Sequence, residues 1–443
     1  MLAPYQTGFR IRQRVPTGDS QPYLPTVHTS RPVTEYLLLG LRFGRLDREL
    51  VESFTGDPRL PRRVAAEPRP DPGQLAAAAR RLRDELLAVP RAGGNDGELS
   101  ARRTAYLAAQ LTALEHAGRR MAGGGAGALE DVAAACFQVR PRGGELDHYR
   151  RVHAELSAAL PGRGTAAERL DRLRAAEQVS PEDTPRAVRA LSAALRRRAR
   201  AEIGLPVQES VSYLFVRSGR WSGMQRYQGD FRSLVGIDAL RERWAGRLAA
   251  LVAHEAYPGH HVESCRRQCE LVDRLDHQEH AIALRDTPQS LISEGFAELG
   301  PGVLGPGWGP LVAGALADVG LRLDGALAER VHGLLGELAG VRWDAARMLH
   351  ERPGDPDRAV LHLRRWALMP ESRARGLVGY LADPQRRARL AAYVEGRRLV
   401  AGWLVAEPGS PGRLRRLLDE PWTPAALARG AGRSDAGTVR GGD

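Results

Sequence analysis

The sequence predicts a mainly α-helical fold with a small strand element. Long segments repeat apolar residues at helical spacing and are rich in Ala, Leu and Arg, which favour helices. Proline and glycine breaks separate these segments. Only two short segments are rich in the β-branched and aromatic residues that are typical of strands. We therefore expect a large helical domain with a few strands near the middle of the chain.

The predicted elements follow one another with short connections. Helices are predicted over Tyr36–Phe54, Gln74–Leu87, Glu98–Arg120, Gly144–Leu160, Ala166–Gln178 and Pro185–Glu202. The two strand segments, Glu209–Val216 and Arg232–Ile237, come next. Further helices are predicted over Leu311–Leu323, Gly325–Leu349, Asp357–Trp366 and Pro384–Val405. The prolines of residues 58–72 predict an irregular connection between the first two helices.

No long Ser/Gly-rich linker divides the chain. We therefore expect a single mostly helical domain over residues 33–418. Residues 1–32 are polar, contain several prolines and lack periodicity, which predicts an irregular N-terminal arm. Residues 419–443 end in a Gly- and Arg-rich sequence and are predicted to form a disordered tail.

The charge balance does not favour a nucleic-acid partner. The 443 residues carry a formal net charge of +12, and every one of the 65 cationic side chains is arginine. Together with abundant Ala, Gly and Pro, this bias indicates a GC-rich genome. The arginines are scattered, and their tightest run, Arg196–Arg200, ends a predicted helix, where cations complement the helix dipole. We expect no nucleic-acid binding.

The sequence also indicates no membrane partner and a reducing compartment. The apolar run Tyr36–Leu39 is far shorter than the ~20 residues of a membrane span. Residues 1–32 contain no apolar core of a secretory signal. Three cysteines do not make a disulfide framework. We therefore expect a cytoplasmic protein.

The segment Leu248–Glu270 carries the strongest functional signal. An apolar run leads into five polar side chains, which are His254, Glu255, His260, His261 and Glu263. Many zinc hydrolases present two histidines and a glutamate from one helix in an H-E-x-x-H pattern. Here the fourth residue after His254 is a proline, so the pattern is interrupted.

A break at Pro258-Gly259 would restore the pattern in space. Six residues of unbroken helix rotate by roughly 600°, which would point His254 and His260 about 120° apart. Proline lacks the N–H that would bond to the His254 carbonyl, and glycine accepts unusual backbone angles. If these two residues bulge out, His260 takes the effective fourth position. His261 remains an alternative second ligand, or a residue that orients one.

A third ligand is predicted on a later helix. The segment LISEGFAEL carries Glu294 and Glu298 one helical turn apart. Two histidines from one helix and a glutamate from another form the ligand set of thermolysin-like zinc enzymes. We take Glu294 as the third zinc ligand. Glu298 is the reserve ligand, or a residue that orients a ligating histidine.

Several motifs resemble one known family. HEAYPGHH followed by the SEGFA segment resembles the domain-of-unknown-function 885 family, which is regarded as a branch of the metallopeptidases. The similarity includes WSGMQRYQGDFRSLVGID, DTPQSLISEGFAEL and YVEGRRLV and extends from about Val33 to Leu418. The resemblance implies that His254, His260 and Glu294 hold one zinc ion and that Glu255 is the general base.

Other residues are candidates for contacts with substrate. Trp221, Tyr227 and Arg232 precede the metal helix and could line the cleft. Tyr393, with Arg397 or Arg398, could hydrogen-bond a developing oxyanion, and Tyr380 competes with Tyr393 for this role. Arginine near the cleft would suit the C-terminal carboxylate of a peptide.

The sequence therefore predicts a zinc-dependent hydrolase that cleaves an amide bond in a small peptide. One alternative is a metal-dependent hydrolase or isopeptidase that acts on a non-peptide or specialised metabolite. Another is a catalytically silent helical binding protein. The presence of Glu255 argues against silence, because a pure binding protein needs no general base.

Overall fold

The computed structural model describes residues 30–88, 99–125, 127–217, 222–239, 243–351, 355–384, 386–406 and 412–432. These residues are mainly α-helical, with short strands, and a three-stranded sheet lies beside the helix that carries His254. The predicted fold class is confirmed. Within the described ranges, no helix is both long and apolar enough to cross a membrane.

The first half of the chain is a series of helices with two short strands. Its elements are α1 (Arg31–Leu46), β1 (Val51–Phe54), α2 (Arg59–Ala66), α3 (Pro72–Ala88), α4 (Ala101–Met121), α5 (Leu129–Phe137), α6 (Leu146–Ala159), α7 (Ala166–Ala176), β2 (Gln178–Val179) and α8 (Thr184–Glu202). Apolar residues of α1, α3 and α4 share one buried cluster, which includes Tyr36, Leu82 and Leu111.

The central part carries the sheet and the predicted metal helices. It contains β3 (Ser210–Val216), β4 (Gly223–Gly229), β5 (Arg232–Asp238), β6 (Arg243–Trp244), α9 (Ala245–Glu255), α10 (His260–Arg266), β7 (Ile282–Leu284) and α11 (Pro288–Glu298). A π-helical segment, Arg267–Arg274, extends α10. Strands β3 and β5 fall where the sequence predicted strands, whereas β4 was not predicted.

The last part is again helical. It contains α12 (Trp308–Ala317), α13 (Gly325–Glu337), α14 (Gly340–Glu351), α15 (Pro356–Trp366), α16 (Glu371–Leu381), α17 (Leu390–Val405), α18 (Arg413–Asp419) and α19 (Pro424–Gly430). The single helix predicted over Gly325–Leu349 is therefore two helices, α13 and α14.

The sheet brings an edge strand to α9. Strand β5 lies in the middle, parallel to β3 and antiparallel to β4. Gly223 pairs with Ile237 at one end of β4, and Gly229 pairs with Arg232 at the other end. A side chain at Gly223 would lie 3.0 Å from Glu255 Oε1. The Gly223 end of β4 is therefore the end that contacts the candidate site.

Helix α9 is buried on nearly all sides. Every residue from Leu248 to Ala253 is buried, and Val252 packs in an apolar cluster with Leu191 of α8, Ile237 of β5 and Val400 of α17. A helix that is apolar all round belongs inside a protein. The buried helix holds the end that carries His254 and Glu255 in a rigid position.

Two predictions at the ends of the chain need correction. The first predicted helix ends at Leu46, because Val51–Phe54 instead pairs with β7 as an antiparallel strand. The predicted disordered tail contains α19, in which the Thr423 side chain caps the helix and Leu427 is buried. The apolar residues of α19 are few among the other residues of this segment, so composition alone wrongly predicted disorder here. Residues 1–29 and 433–443 lie outside the described residues.

Helices α11 and α17 cross with their backbones in contact. A Cβ atom on Gly295 would lie 2.2 Å from the carbonyl carbon of Gly396, and one on Gly396 would lie 2.2 Å from the carbonyl oxygen of Leu291. Only glycine fits at either position. The crossing places Glu294 of α11 beside the part of α17 that carries Tyr393.

We predict that Gly396→Ala lowers the free energy of unfolding by about 2–3 kcal/mol, because the methyl group must push two packed helices apart. Urea unfolding followed by circular dichroism measures this change. The control is Gly379→Ala on α16, where an added Cβ meets no atom within 4 Å. The control should be neutral or slightly stabilising, because alanine favours helices. Equal urea midpoints for Gly396→Ala and the parental protein would contradict the close crossing.

Candidate metal centre

A break between α9 and α10 shapes the centre. Residues Ala256–Gly259 leave the helical path, and the Gly259 N–H donates to the Ala253 carbonyl over 2.8 Å. A Cβ atom on Gly259 would lie only 1.9 Å from the His254 carbonyl oxygen. Glycine is therefore required at this position for steric reasons.

The break brings His254 and His260 together. Their ring centroids are 4.8 Å apart and the rings are perpendicular. This is the arrangement that the Pro258-Gly259 bulge predicted. Of the two histidines that the sequence left open, His260 is the one that faces His254.

Glu294 completes a triad of ligand-type atoms. Its Oε2 atom lies 3.5 Å from His254 Nε2 and 3.6 Å from His260 Nε2. These distances are too long for hydrogen bonds, which measure about 2.7–3.2 Å. They match the spacing of about 3.4 Å between two atoms that each lie ~2.1 Å from a tetrahedral zinc ion. The same oxygen is buried and has no hydrogen-bond partner among the described residues.

Glu255 is a rival for the third ligand position. The ligand-type atoms of His254, Glu255 and His260 all lie within 4.8 Å of one another. The Glu294 oxygen approaches both imidazoles within 3.6 Å, so we assign the third position to Glu294. Burial raises the pKa of Glu255, although the nearby histidines oppose the shift. A carboxyl group with a raised pKa next to the triad is suited to proton transfer.

A chain of polar groups supports His260. Its Nδ1 atom lies 3.1 Å from the Ser293 hydroxyl, which in turn donates to Glu263. Arg267 donates to the other Glu263 oxygen over 2.9 Å. These contacts turn His260 Nε2 towards Glu294. Sequence reasoning assigned no role to Ser293, although it directly precedes Glu294, or to Glu263, one turn after His260.

Glu298 lies on the opposite side of the triad. Its Oε1 atom is 3.9 Å from His254 Nδ1, and its Oε2 accepts a hydrogen bond from Arg342 over 3.0 Å. Burial opposes ionisation of Glu298, but Arg342 and His254 lower its pKa to about 2. The side chain is therefore an anion beside His254, and its role in orienting that imidazole stays a prediction.

The triad is strongly coupled electrostatically. Burial disfavours the charged imidazoles, but the Glu294 carboxylate outweighs it and raises the pKa of both His254 and His260. The two histidines in turn hold the pKa of Glu294 well below its usual range against the opposing effect of burial. The Glu294 carboxylate is thus held as an anion between the two imidazoles.

His261 was predicted to lie beside the metal ligands, and this prediction is wrong. The ring is fully buried, with Nε2 3.0 Å from Glu209 Oε2 and Nδ1 2.8 Å from the Ser233 hydroxyl. Glu209 also accepts hydrogen bonds from Tyr257 over 2.6 Å and from Arg196 over 2.6 Å. Because His261 follows His260 on α10, it points to a different side of the helix.

Three predicted substrate contacts also need correction. The Tyr227 side chain is buried, and its hydroxyl bonds to Gln268 over 2.6 Å. Arg232 is exposed, pairs with Asp230, and lies at the end of the β4–β5 pair remote from Glu255. Arg397 donates to the Glu298 carbonyl over 2.6 Å and occupies the space above Gly336, so it joins α17 to the end of α11.

The remaining residues predicted to contact substrate are Tyr393, Tyr380, Arg398 and Trp221. Tyr393 is half-buried, and the Glu294 carboxylate is the first cause that raises its pKa well above the usual range. Its hydroxyl makes no hydrogen bond with the residues that the structure describes. Tyr380 interacts with Arg389, and Arg398 pairs with Glu395. Tyr393 is therefore the better placed tyrosine, while Trp221 lies outside the described residues.

The solved structures that resemble this chain include the following two. A candidate lipoprotein from Colwellia psychrerythraea is 15% identical in sequence, with a TM-score of 0.49. The match covers 88% of this chain and 66% of the lipoprotein chain. The M32 carboxypeptidase from Deinococcus radiodurans R1 is 13% identical in sequence, with a TM-score of 0.38. The match covers 91% of this chain and 95% of the carboxypeptidase chain. No protein-family model and no curated protein sequence matches this chain. The geometry of the site therefore carries the functional argument.

We predict that Glu209→Gln destabilises the protein by about 3 kcal/mol at pH 7. The substitution removes a buried carboxylate whose pKa is lowered in the folded state. Burial opposes ionisation, but hydrogen bonds from His261, Tyr257 and Arg196 lower the pKa of Glu209 from 4.5 to about 2. A lowered pKa stabilises the folded state above pH 4.5, and this stabilisation is lost as the pH falls from 4.5 towards 2.

Urea midpoints measured from pH 7 to pH 3 test this prediction, and the variant should show a flatter acid dependence than the parental protein. The control is Glu182→Gln at an exposed position, which should follow the parental curve. An unchanged acid dependence in Glu209→Gln would contradict the proposed role of this carboxylate.

Proposed function

We propose that the protein is a zinc-dependent hydrolase that cleaves an amide bond in a small peptide. The observation that carries the proposal is the position of Glu294 Oε2, 3.5 and 3.6 Å from two imidazole nitrogens and without a hydrogen bond of its own among the described residues. This geometry is expected of three atoms that share one metal ion.

The donor set fits zinc. Two imidazole nitrogens and one carboxylate oxygen are ligands that zinc accepts, and three protein ligands leave a position for water or substrate. His254, His260 and Glu294 would hold the ion. When bound, zinc would supply polarisation of the substrate carbonyl and a more acidic water. The remaining chemistry depends on side chains of the chain itself.

Glu255 is proposed as the general base. It follows His254 on the same helix, its side chain is buried, and its raised pKa brings proton affinity closer to neutral pH. Its carboxylate would take a proton from the attacking water and then give it to the leaving nitrogen. The close approach of Gly223 leaves no room for a larger residue next to this carboxylate.

Tyr393 is proposed to stabilise the oxyanion. The Glu294 carboxylate and burial keep its pKa raised, so the phenol retains its proton and can donate a hydrogen bond. Such a donor is useful where negative charge develops on the carbonyl oxygen, and each one contributes roughly 3 kcal/mol to the transition state.

We predict that the purified protein contains one zinc ion per chain, and that His254→Ala, His260→Ala and Glu294→Gln each lose it, because each removes one of three protein ligands. Elemental analysis after gel filtration measures the metal content. Added zinc should raise the unfolding temperature of the parental protein more than that of the variants.

His148→Ala is the matched control, because His148 is a partly exposed histidine on α6 next to Glu337 and should not affect metal content. Protein that neither contains zinc nor takes it up after purification would refute the hydrolase proposal. Retention of one zinc ion in Glu294→Gln would instead overturn the assignment of the third ligand.

We predict that Glu255→Gln keeps its zinc but slows peptide hydrolysis by at least about a hundredfold, the lower range for loss of a general base. The assay follows release of free amines from a panel of N-acetylated dipeptides and tripeptides. Glu182→Gln serves as the control with unchanged rates. Equal rates for Glu255→Gln and the parental protein would rule out Glu255 as the base, whereas hydrolysis of esters or lactams alone would redirect the substrate assignment.

A further inference from the structure

A small cavity lies beside the chain of polar groups that supports His260. Its walls come mainly from α4, α10 with its π-helical extension, α11, and the segment that joins α18 to α19. Glu263 and Ser293 belong to the wall, and the Ser293 hydroxyl lies 3.1 Å from His260 Nδ1. The cavity is therefore one side chain away from a proposed zinc ligand.

The cavity is narrow and has apolar residues in its walls. Leu271, Phe296, Leu417 and Trp422 line it and are buried. Its volume is about 40 Å³. One buried water needs about 10–15 Å³ by the same measure, so the cavity has room for roughly three water-sized groups. A ligand can therefore place only a small group there, not an aromatic ring.

Three polar side chains of the wall have hydrogen-bonding capacity left over. His280 is only 4% exposed, and its buried Nε2 atom has no hydrogen-bond partner among the described residues. Gln289 accepts a hydrogen bond from Tyr106 over 2.9 Å, but its NH₂ group makes none within the described ranges. Arg267 binds Glu263 through one guanidinium nitrogen, and its other nitrogens make no hydrogen bond in the part of the chain that the structure describes. Unpaired polar groups in a buried place are costly, so this wall favours a polar ligand.

The charged side chains of the wall are already paired. Glu263 binds Arg267 over 2.9 Å, and Glu420 binds Arg102 over 2.6 Å. Burial lowers the pKa of His280 to about 3, so its imidazole is neutral at pH 7. A charged ligand would lose its hydration in the cavity without gaining a free counter-ion. The ligand group is therefore expected to be polar but uncharged.

The more exposed part of the wall adjoins the candidate metal centre. Glu263, Ile292 and Ser293 are partly exposed, whereas Leu271 and Phe296 behind them are buried. The Ser293 hydroxyl donates to Glu263, so these two residues lie side by side next to the ring of the proposed ligand. A substrate bound at the triad would therefore have a short path to the cavity.

We propose that this cavity binds a carboxamide group. A carboxamide is small and uncharged, and it both accepts and donates hydrogen bonds. Its oxygen suits the free N–H groups of Arg267 and Gln289, and its NH₂ group suits a neutral imidazole nitrogen such as His280 Nε2. The group belongs to a glutamine or asparagine side chain of the substrate, or to a separate small amide. The first source rests on the proposed function, whereas the second does not.

Ligand-observed NMR titrations test the proposal. The probes are N-acetyl-glutamine methylamide, the matching glutamate and norvaline derivatives, and propionamide. Each is titrated into the zinc-loaded Glu255→Gln protein and into the parental protein stripped of zinc. We expect the glutamine derivative to bind at least about tenfold more tightly than the other two derivatives, because norvaline leaves the polar groups unpaired and glutamate brings an uncompensated charge.

The dependence on zinc distinguishes the two sources of the carboxamide. A substrate side chain should bind more tightly when zinc is present, because the metal and the cavity then hold the same molecule. A separate small amide should behave differently. Propionamide would then bind as tightly as the glutamine derivative, and equally with and without zinc.

Substitutions in the wall test whether the cavity is the receptor. His280→Phe keeps an aromatic ring next to Tyr106 but removes both nitrogens, and Gln289→Leu removes the amide at similar size. Each should abolish most of the preference for the glutamine derivative. His277→Phe and Gln278→Leu are the matched controls, because neither residue belongs to the wall, and both should keep the preference.

The proposal is overturned if the glutamine and norvaline derivatives bind equally, if no amide probe binds, which would leave the cavity to water, or if the preference survives both substitutions. Thermal unfolding shows whether each variant is folded, and Gln289→Met replaces a Gln289→Leu protein that is not. Zinc content and hydrolysis rates are read separately. A zinc enzyme without the glutamine preference keeps the proposed function without this site, whereas amide binding without zinc or hydrolysis keeps the site without the function.

Discussion

The buried carboxylate of Glu209 fixes the change of chain direction on which the candidate centre depends. It accepts hydrogen bonds from Tyr257 and His261, which stand on either side of Pro258-Gly259. Arg196 and Arg200 of α8 bind the same carboxylate and supply the charge that a buried anion requires. With Tyr257 and His261 held on one side of the break, His260 is turned to the other side, towards His254. A network without any proposed metal ligand thus sets the geometry of the ligands.

Close backbone contacts supply the second constraint. Gly259 lies against the His254 carbonyl, and Gly295 lies against Gly396 where α11 crosses α17. The first contact allows α10 to start directly after the break, and the second brings Glu294 into reach of both histidines. Side chains larger than hydrogen would prevent either approach, because the interior is closely packed. The three atoms of the triad come from three helices, α9, α10 and α11, and these glycines allow the helices to approach one another.

Carboxylates on both sides of the centre are paired with arginines. Near His260, carboxylates have partners: Glu263 binds Arg267, and Glu52 binds Arg285. Near His254, Glu298 binds Arg342. A buried or crowded charge is costly unless it is compensated, so these ion pairs allow the carboxylates to lie beside the triad.

The sequence by itself determined the helical fold class, the strand segments at Glu209–Val216 and Arg232–Ile237, and the pairing of His254 with His260 through a Pro-Gly break. These features depend on the helical period, on side-chain shape and on backbone chemistry, which act between neighbouring residues. Only the tertiary structure decided that His261 binds Glu209 and that Arg397 binds the Glu298 carbonyl at the end of α11. Each of these contacts joins residues from different elements. Whether two such side chains meet depends on how whole helices pack against one another.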